Sequence, residues 1–273
     1  MSKETIEQHG PACAGRTGLG GTLELSVRRE QRIADVPFPD PCLILVTRGR
    51  KTLSVGDQRL SAGPGQLLFV NGGVSASMCN APEPGGVYAA TCVAVAPELV
   101  RAHAIARGAL PATPWRALAQ APMDSPLAEA VRHVAAGMLA EPPLSDRLLR
   151  HRLAEILIAL DDLGCWCRIG TVAGAAERVR ALLSSAPAEP WSARDVATRL
   201  HMSEATLRRL LRAEGAGFRE LLNEVRMGTA LAMIQGTTMP LQVIANACGY
   251  ASPSRFAARF KARFGTAPSD LRR

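Results

Sequence analysis

Residues 190–264 read as one pattern written twice, on either side of a longer helix. Pro190-Trp191-Ser192 opens a short helix, and Asp195 stands three residues after Ser192. At that spacing a hydroxyl and a carboxylate cap a helix start reciprocally. Val196, Ala197 and Leu200 recur on the inner face, and the helix stops at His201-Met202. Ser203 caps a second helix with Leu207, Leu210 and Leu211 inward. A longer helix runs from Phe218 to about Gln235, with Leu221, Leu222, Val225, Ala230 and Ile234 as its apolar stripe. Pro240 begins a further short helix carrying Leu241, Ile244 and Ala245, ending at Cys248-Gly249-Tyr250. Ser252 caps the last helix, through Phe256, Phe260 and Phe264. Two short helices joined by a tight turn make a helix-turn-helix, so the sequence predicts two such units.

The outward face of the first unit's second helix is Glu204, Ala205, Arg208, Arg209 and Arg212. Three guanidinium groups on one exposed face repel one another, and a bound anion removes that penalty. Arginine also supplies the fork that reads guanine O6 and N7 in a major groove. The alternative is a solvated arginine face with no ligand. The last helix presents Ser254, Arg255, Ala258, Arg259 and Lys261 outward. The charge balance agrees with a polyanion partner. Of a formal net charge of +8, residues 174–273 hold seven, with 15 Lys and Arg against 8 Asp and Glu. The long helix spans roughly 27 Å at about 1.5 Å per residue. Neighbouring major-groove segments on one side of B-DNA lie about 34 Å apart. One chain can therefore serve two adjacent segments of double-stranded DNA, the remainder being made up by side chains or a DNA bend.

The first half follows a different period. Residues 1–21 carry several glycines and no repeat, and are expected to form a mobile arm. From about Leu23 to Val95, short strand-like runs alternate with turns. Cys42–Val46 and Gln66–Val70 read as buried strands, and Thr52–Val55 alternates before a Gly56-Asp57 turn. Val74–Cys79 and Val87–Val95 read as a strand pair. This spacing predicts a small antiparallel barrel or sandwich. After Pro97 the period becomes helical. Leu127, Val131, Val134, Ala135 and Met138 share one face; Leu148, Leu149, Leu153, Ile156, Leu157 and Leu160 share another. Pro142-Pro143 separates the two helices. This hairpin has more apolar surface than it can hide alone, so it packs on the strands, on a second subunit, or on both.

Several function classes fall away. Gly18-Leu19-Gly20-Gly21 lacks the strand–loop–helix setting of a nucleotide-binding loop. The histidines are 9, 103, 133, 151 and 201, none in the strand region, which argues against a metal-dependent barrel enzyme. No enzymatic role, metal or cofactor is expected. Seven scattered cysteines suit a reducing cytoplasm. The polar N-terminus does not read as a signal peptide, and no apolar run approaches a membrane span. Cys165-Trp166-Cys167 is the one suggestive thiol pair, against a background of two incidental thiols.

The run Ile244-Ala245-x-x-x-Cys248-Gly249-Tyr250-x-Ser252-x-Ser254-x-Phe256-x-x-x-Phe260-Lys261-x-x-Phe264-Gly265-x-x-Pro268 resembles the signature of the AraC/XylS transcription regulators. Trp191–Arg212 resembles that family's first helix-turn-helix. The resemblance implies base contacts through Ala205, Arg208 and Arg209, and through Pro253, Ser254, Arg255 and Ala258. Ala258 stands where the family usually has Arg, with Arg259 about 100° further around, and Leu271 stands where an aromatic is common. The second unit is accordingly expected to lean on phosphate contacts.

In outline the first half resembles the family's cupin-like sensing and dimerisation domain. Cys42–Val70 also resembles members that switch on type III secretion and other virulence genes. The implied organisation is α+β: arm 1–21, cupin-like domain 22–164, linker 165–174 and DNA-binding domain 175–273. The implied partners are promoter DNA, RNA polymerase and a second copy joined through residues 127–162. The regulatory domain either senses a small molecule or is a ligand-free dimerisation module under a protein partner; a fused enzyme is the third reading. Its effector-binding residues are not legible.

Overall fold

The computed structural model describes residues 12–109, 112–122, 124–167 and 173–272. Residues 1–11 of the expected arm and 168–172 of the expected linker lie outside them. The first half contains strands β1 (Ala12–Arg16), β2 (Gly20–Val27), β3 (Gln31–Phe38), β4 (Cys42–Arg48) and β5 (Arg50–Val55). They continue as β6 (Gln58–Ala62), β7 (Gln66–Val70), β8 (Val74–Ala81), β9 (Tyr88–Val95) and β10 (Leu118–Pro122). They form two antiparallel sheets, ordered β1-β2-β9-β4-β7-β10 and β3-β8-β5-β6. Strand pairing ends at β1 and β10 in one sheet and at β3 and β6 in the other. Of the barrel or sandwich expected, the strands form a two-sheet sandwich, without a closed ring of pairing among the described residues. Leu25, Ile44, Val46 and Leu68 of one sheet share a core with Ile33, Val36, Leu53 and Met78 of the other.

Two strand expectations need correction. Val74–Cys79 does not pair with Val87–Val95: β8 lies between β3 and β5, and β9 between β2 and β4. Both runs alternate towards the same core, so their periodicity could not say which sheet each joins. Residues 12–21 are also not an arm. They form β1 and the start of β2, and Leu19 between them is fully buried. Gly20 is required there, at φ +130, where a Cβ would fall 2.0 Å from the Ala94 carbonyl oxygen.

The apolar run of β4 is explained by burial on both sides. Ile44 and Val46 face the sandwich core, while Leu43 and Leu45 face a layer of helices. That layer comprises α1 (Pro97–Arg107), α2 (Pro126–Leu139) and α3 (Asp146–Asp162). Ser125 and Ser145 cap α2 and α3, their hydroxyls accepting from Ala128 N and Leu148 N. Leu127, Val131, Val134, Ala135 and Met138 of α2 pack with Leu67, Phe69, Val93 and Val95 on the outer face of the larger sheet. In α3, Leu149, Leu153, Ile156, Leu157 and Leu160 are buried. Leu148, expected inward, is 52% exposed and Ile158 is 53% exposed.

The second half is helical: α4 (Ala175–Ser185), α5 (Ala193–Arg199), α6 (Glu204–Ala213), α7 (Phe218–Gly236), α8 (Leu241–Ala247) and α9 (Pro253–Phe264). It has two cores. Val179, Leu183, Trp191, Val196, Leu207, Leu211, Leu221 and Val225 enclose the first unit. Met227, Leu231 and Ile234 of α7 join Ile244, Phe256, Phe260, Phe264 and Leu271 in a cluster continuous with the sandwich core. Small residues allow this approach: the Cα of Gly236 lies where a Cβ would meet Leu23 at 2.5 Å. Asp35, left-handed at φ 48 in the bulge between Ile33 and Val36, adds an ion pair to Arg263 at 2.6 Å. The first reading unit thus stands on its own core, and the second is docked on the sandwich.

Candidate nucleic-acid interface

Helix α5 starts in a complete capping box. Asp195 N donates to Ser192 Oγ at 3.1 Å, and Ser192 N donates to Asp195 Oδ2 at 3.1 Å. The Ser192 hydroxyl also donates to Asp195 Oδ2 at 2.5 Å, and this bond first, then the one from Ser192 N, holds the Asp195 carboxyl below its ordinary range. Trp191 seals the entry, its indole donating to Ala186 O at 2.8 Å and carrying the Arg199 guanidinium 4.4 Å from its ring centre. Glu214, following α6, accepts from Ala175 N and Ala176 N at 2.7 and 2.9 Å. Its carboxylate thereby satisfies the N-terminus of α4 and locks α6 to it.

The turn between α5 and α6 places His201 at φ 56, and the matching turn before α9 places Gly249 at φ 77. The two units meet the same backbone demand with different residues. A side chain in this region costs about 1–2 kcal/mol. His201→Gly is expected to stabilise the chain by about 0.5–1 kcal/mol, net of the entropy glycine adds to the unfolded state. Thermal melts at fixed pH check it; a lowered midpoint contradicts the strain argument.

On α6, Ala205, Arg208, Arg209 and Arg212 are exposed and Glu204 is half-buried. Arg208 is paired with Glu204 across one helical turn at 2.5 Å. The expected mutual repulsion of three arginines is therefore partly relieved within the helix. Arg209 and Arg212 make no salt bridge among the described residues. On α9, capped by Ser252, the residues Pro253, Ser254, Arg255, Ala258, Arg259 and Lys261 are all exposed. Phe256, Phe260 and Phe264 hold its opposite face in the core.

Two open grooves run along α7 between these helices. The first, about 890 Å³, brings Arg194, Arg208 and Arg212 together with Arg219. The second, about 390 Å³, joins Arg219 and Asn223 to Arg255 and Arg259. Arg219 and Leu222 line both, so the grooves meet at the start of α7. Arg209, Pro253, Ser254, Ala258 and Lys261 lie outside these grooves. Sequence reading missed Arg194, Arg219 and Asn223. Arg219 and Arg226, seven residues apart on one face of a predicted helix, were the available signal. Arg226 plays a different part. It donates to Pro187 O and Glu189 O at 2.9 and 2.8 Å and stacks near Tyr250.

The Cys165 and Cys167 thiols do not have the character of reactive groups. Burial pushes both up, Cys167 to about 12, against the depressed values that thiolate chemistry needs. Among the described residues no cluster of three His, Cys, Asp or Glu is placed to hold a metal ion, and no helix is long and apolar enough to cross a membrane.

Two exposed basic helices in helix-turn-helix settings, beside two grooves that meet at the start of α7, define a DNA-binding transcriptional regulator, and residues 196–273 match the family described as helix-turn-helix domain. Residues 23–160 match the family described as AraC-type transcriptional regulator N-terminus. The chain belongs to the AraC family of transcriptional regulators. It is similar to the urease operon transcriptional activator of Escherichia coli, with 37% identity over 91 residues, covering 33% of this chain and 31% of that protein. It is similar to the regulator YdeO of Escherichia coli K12, with 36% identity over 93 residues, covering 33% and 36%. The matches thus span about a third of these relatives' length.

Among solved structures, ToxT from Vibrio cholerae O395 aligns over 91% of this chain and 95% of its own, with a TM-score of 0.63 and 16% identity. A ToxT structure with an unsaturated fatty acid bound, from strain SCE256, aligns over 94% and 95% with a TM-score of 0.62 and 15% identity. At these identities the likeness concerns the fold.

Proposed function

We propose that this chain is a sequence-specific transcription activator that reads two adjacent major-groove segments with α6 and α9. The observation that carries the reading is the groove pair meeting at Arg219, with a capped, arginine-bearing helix at each end. It works by binding and not by catalysis, in the cytoplasm, and recruits RNA polymerase beside the promoter. The activator role is supported by the urease-operon relative, which is itself named as an activator.

Two copies pair through residues 127–162. The face of α2 is consumed by the sheet, so the pairing surface is the outer stripe of α3 carrying Leu148 and Ile158. The sandwich senses a small molecule. Two groups in its interior support this: Lys51 is buried with no carboxylate partner among the described residues, and the Tyr88 hydroxyl is buried with no hydrogen-bond partner. An acidic molecule would satisfy both. The second reading, a ligand-free dimerisation module under a protein partner, is supported by the dense apolar packing around them.

Selection of binding sites from random duplex DNA, with the full chain at a stated salt concentration, tests the central reading. Two informative patches about one helical turn apart are expected. The full chain is used because the core of the second unit is continuous with the sandwich. Retention without any sequence motif would reduce the protein to a non-specific binder. Lys261→Ala is expected to weaken binding to all sequences alike and to lower the salt slope by about one phosphate contact. An unchanged slope removes Lys261 from the interface.

A further inference from the structure

Three buried polar side chains form one cross-strand row in the smaller sheet. Lys51 on β5 pairs with Asn80 on β8, and Asn80 pairs with Gln31 on β3. They are 3%, 0% and 4% exposed. Lys51 Nζ donates to Asn80 Oδ1 at 2.8 Å. Asn80 Nδ2 donates to Gln31 Oε1 at 3.2 Å. Gln31 Nε2 donates to the Leu271 carbonyl at 2.9 Å, leaving the sandwich for the last turn of the DNA-binding domain. Gln235 Nε2, on α7, lies 3.4 Å from the same Gln31 oxygen.

The row has a direction, fixed at both ends. An ammonium can only donate, so it holds the Asn80 oxygen towards itself. The Asn80 amide nitrogen must then face Gln31, which presents its oxygen. That leaves the Gln31 nitrogen for Leu271, whose carbonyl can only accept. An apolar interior makes each mismatch expensive, so the amides do not turn independently. Lys51 is a poor fit for a purely structural anchor. Its other neighbours are the Met78 sulfur and the Tyr88 ring, whose centre lies 6.0 Å away, and burial pushes its ammonium down to about 8.

We propose that this row is a relay, in which the position of the Lys51 ammonium sets the orientation of Asn80 and Gln31 and thereby how firmly the second helix-turn-helix is docked on the sandwich. Gln31 and Asn80 are positioning residues for α9, acting through Leu271 and α7. The relay rests on the proposed sensing role of the sandwich for what draws Lys51 away, and on the DNA-reading role for its output. An anionic group arriving beside Lys51 would compete with Asn80 for the ammonium. The freed Asn80 amide can turn, the Gln31 amide follows, and the Leu271 carbonyl loses its donor.

Hydrogen exchange of the full chain, without DNA and read by mass spectrometry at residues 265–272 and 231–237, tests the relay directly. Lys51→Met removes the donor and is expected to speed exchange there about tenfold, the factor that one hydrogen bond of ordinary net strength gives. Lys51→Gln, which keeps a donor for Asn80, is expected to stay at the wild-type rate. Asn80→Asp covers the case in which Lys51→Met does not fold. It keeps the Lys51 contact as an ion pair but cannot donate to Gln31, so the same acceleration is expected.

Wild-type rates at both segments in Lys51→Met and Asn80→Asp, with acceleration confined to Gln31→Leu, would overturn the relay and leave a local Gln31 contact. Equal acceleration in Lys51→Gln and Lys51→Met would also overturn it, because loss of bulk would then explain the effect. A chain that selects no DNA sequence defeats the proposed function but leaves these exchange rates to decide the relay.

Discussion

Phe260→Ala is expected to cost about 3–5 kcal/mol of stability, measured as the shift in urea unfolding at constant slope. Phe260 is fully buried between Phe256 and Phe264, at ring-centre distances of 5.8 and 4.7 Å. Truncation removes a large apolar surface and both ring contacts, and α9 cannot collapse into the space while Ser252 caps it and Arg263 ties it to Asp35. Domains typically hold only about 5–15 kcal/mol in all, so much of the native margin goes. The position of the damage is more informative than its size. Because this cluster continues into Ile33, Val36 and Leu25, exchange protection is expected to fall in β2 and β3 as well as in α8 and α9. Leu207→Ala, in the separate core of the first unit, is expected to cost about 2–5 kcal/mol while sparing those strands. A Phe260→Ala cost under about 1 kcal/mol, or loss confined to α9, would contradict the shared core.

The helical half was legible because its signals are local. Caps at Ser192, Ser203 and Ser252 mark helix starts within one turn, and the stripe through Phe256, Phe260 and Phe264 needs only a period of 3.6. The sandwich was legible as strands but not as pairings. Val74–Cys79 and Val87–Val95 are neighbours in sequence, yet each finds its partners elsewhere, and alternation carries no information about partners. Residues 12–21 looked featureless because their glycines serve a close backbone approach at Gly20, not freedom. Leu148 shows the same limit. Its place in an apolar run said that it lies near the buried stripe, not how much of α3 the neighbouring helices α1 and α2 cover.

For the interface, residue types on α6 and α9 were readable, but their electrostatic state was not. Glu204 already takes up Arg208, and Arg219 enters from a helix that looked purely structural. The docking of the second unit on β3 was invisible, since Gln31, Asp35 and Arg263 are scattered polar residues until the fold brings them together. The two reading helices are therefore held differently: α6 sits on the core of the first unit, whereas the core of α9, like the second half of α7, is continuous with that of the sandwich.

Arg209→Ala is expected to cost about 1–3 kcal/mol on the selected DNA site and to relax specificity at one base pair, measured by competition binding against single-position variants. The reason to single out Arg209 is its state, not its charge. Arg208 must leave Glu204 before it can fork onto a guanine, and the exchange of one partner for another reduces its net contribution. Arg209 is exposed beside it and has no competing carboxylate among the described residues. Arg208→Ala is therefore expected to cost less than Arg209→Ala, and the difference should shrink when Glu204 is replaced by Gln. Equal weakening by Arg209→Ala on the selected site and on random duplex would make Arg209 a phosphate contact. On α9, Ala258 offers no fork where Arg259 points about 100° aside, so Arg259→Ala is expected to lower affinity on both DNAs alike. The chain would then take most of its sequence information through the first unit, which has a core of its own. The sandwich-docked second unit would supply register and affinity, and that is the part whose placement the interior of the sandwich can adjust.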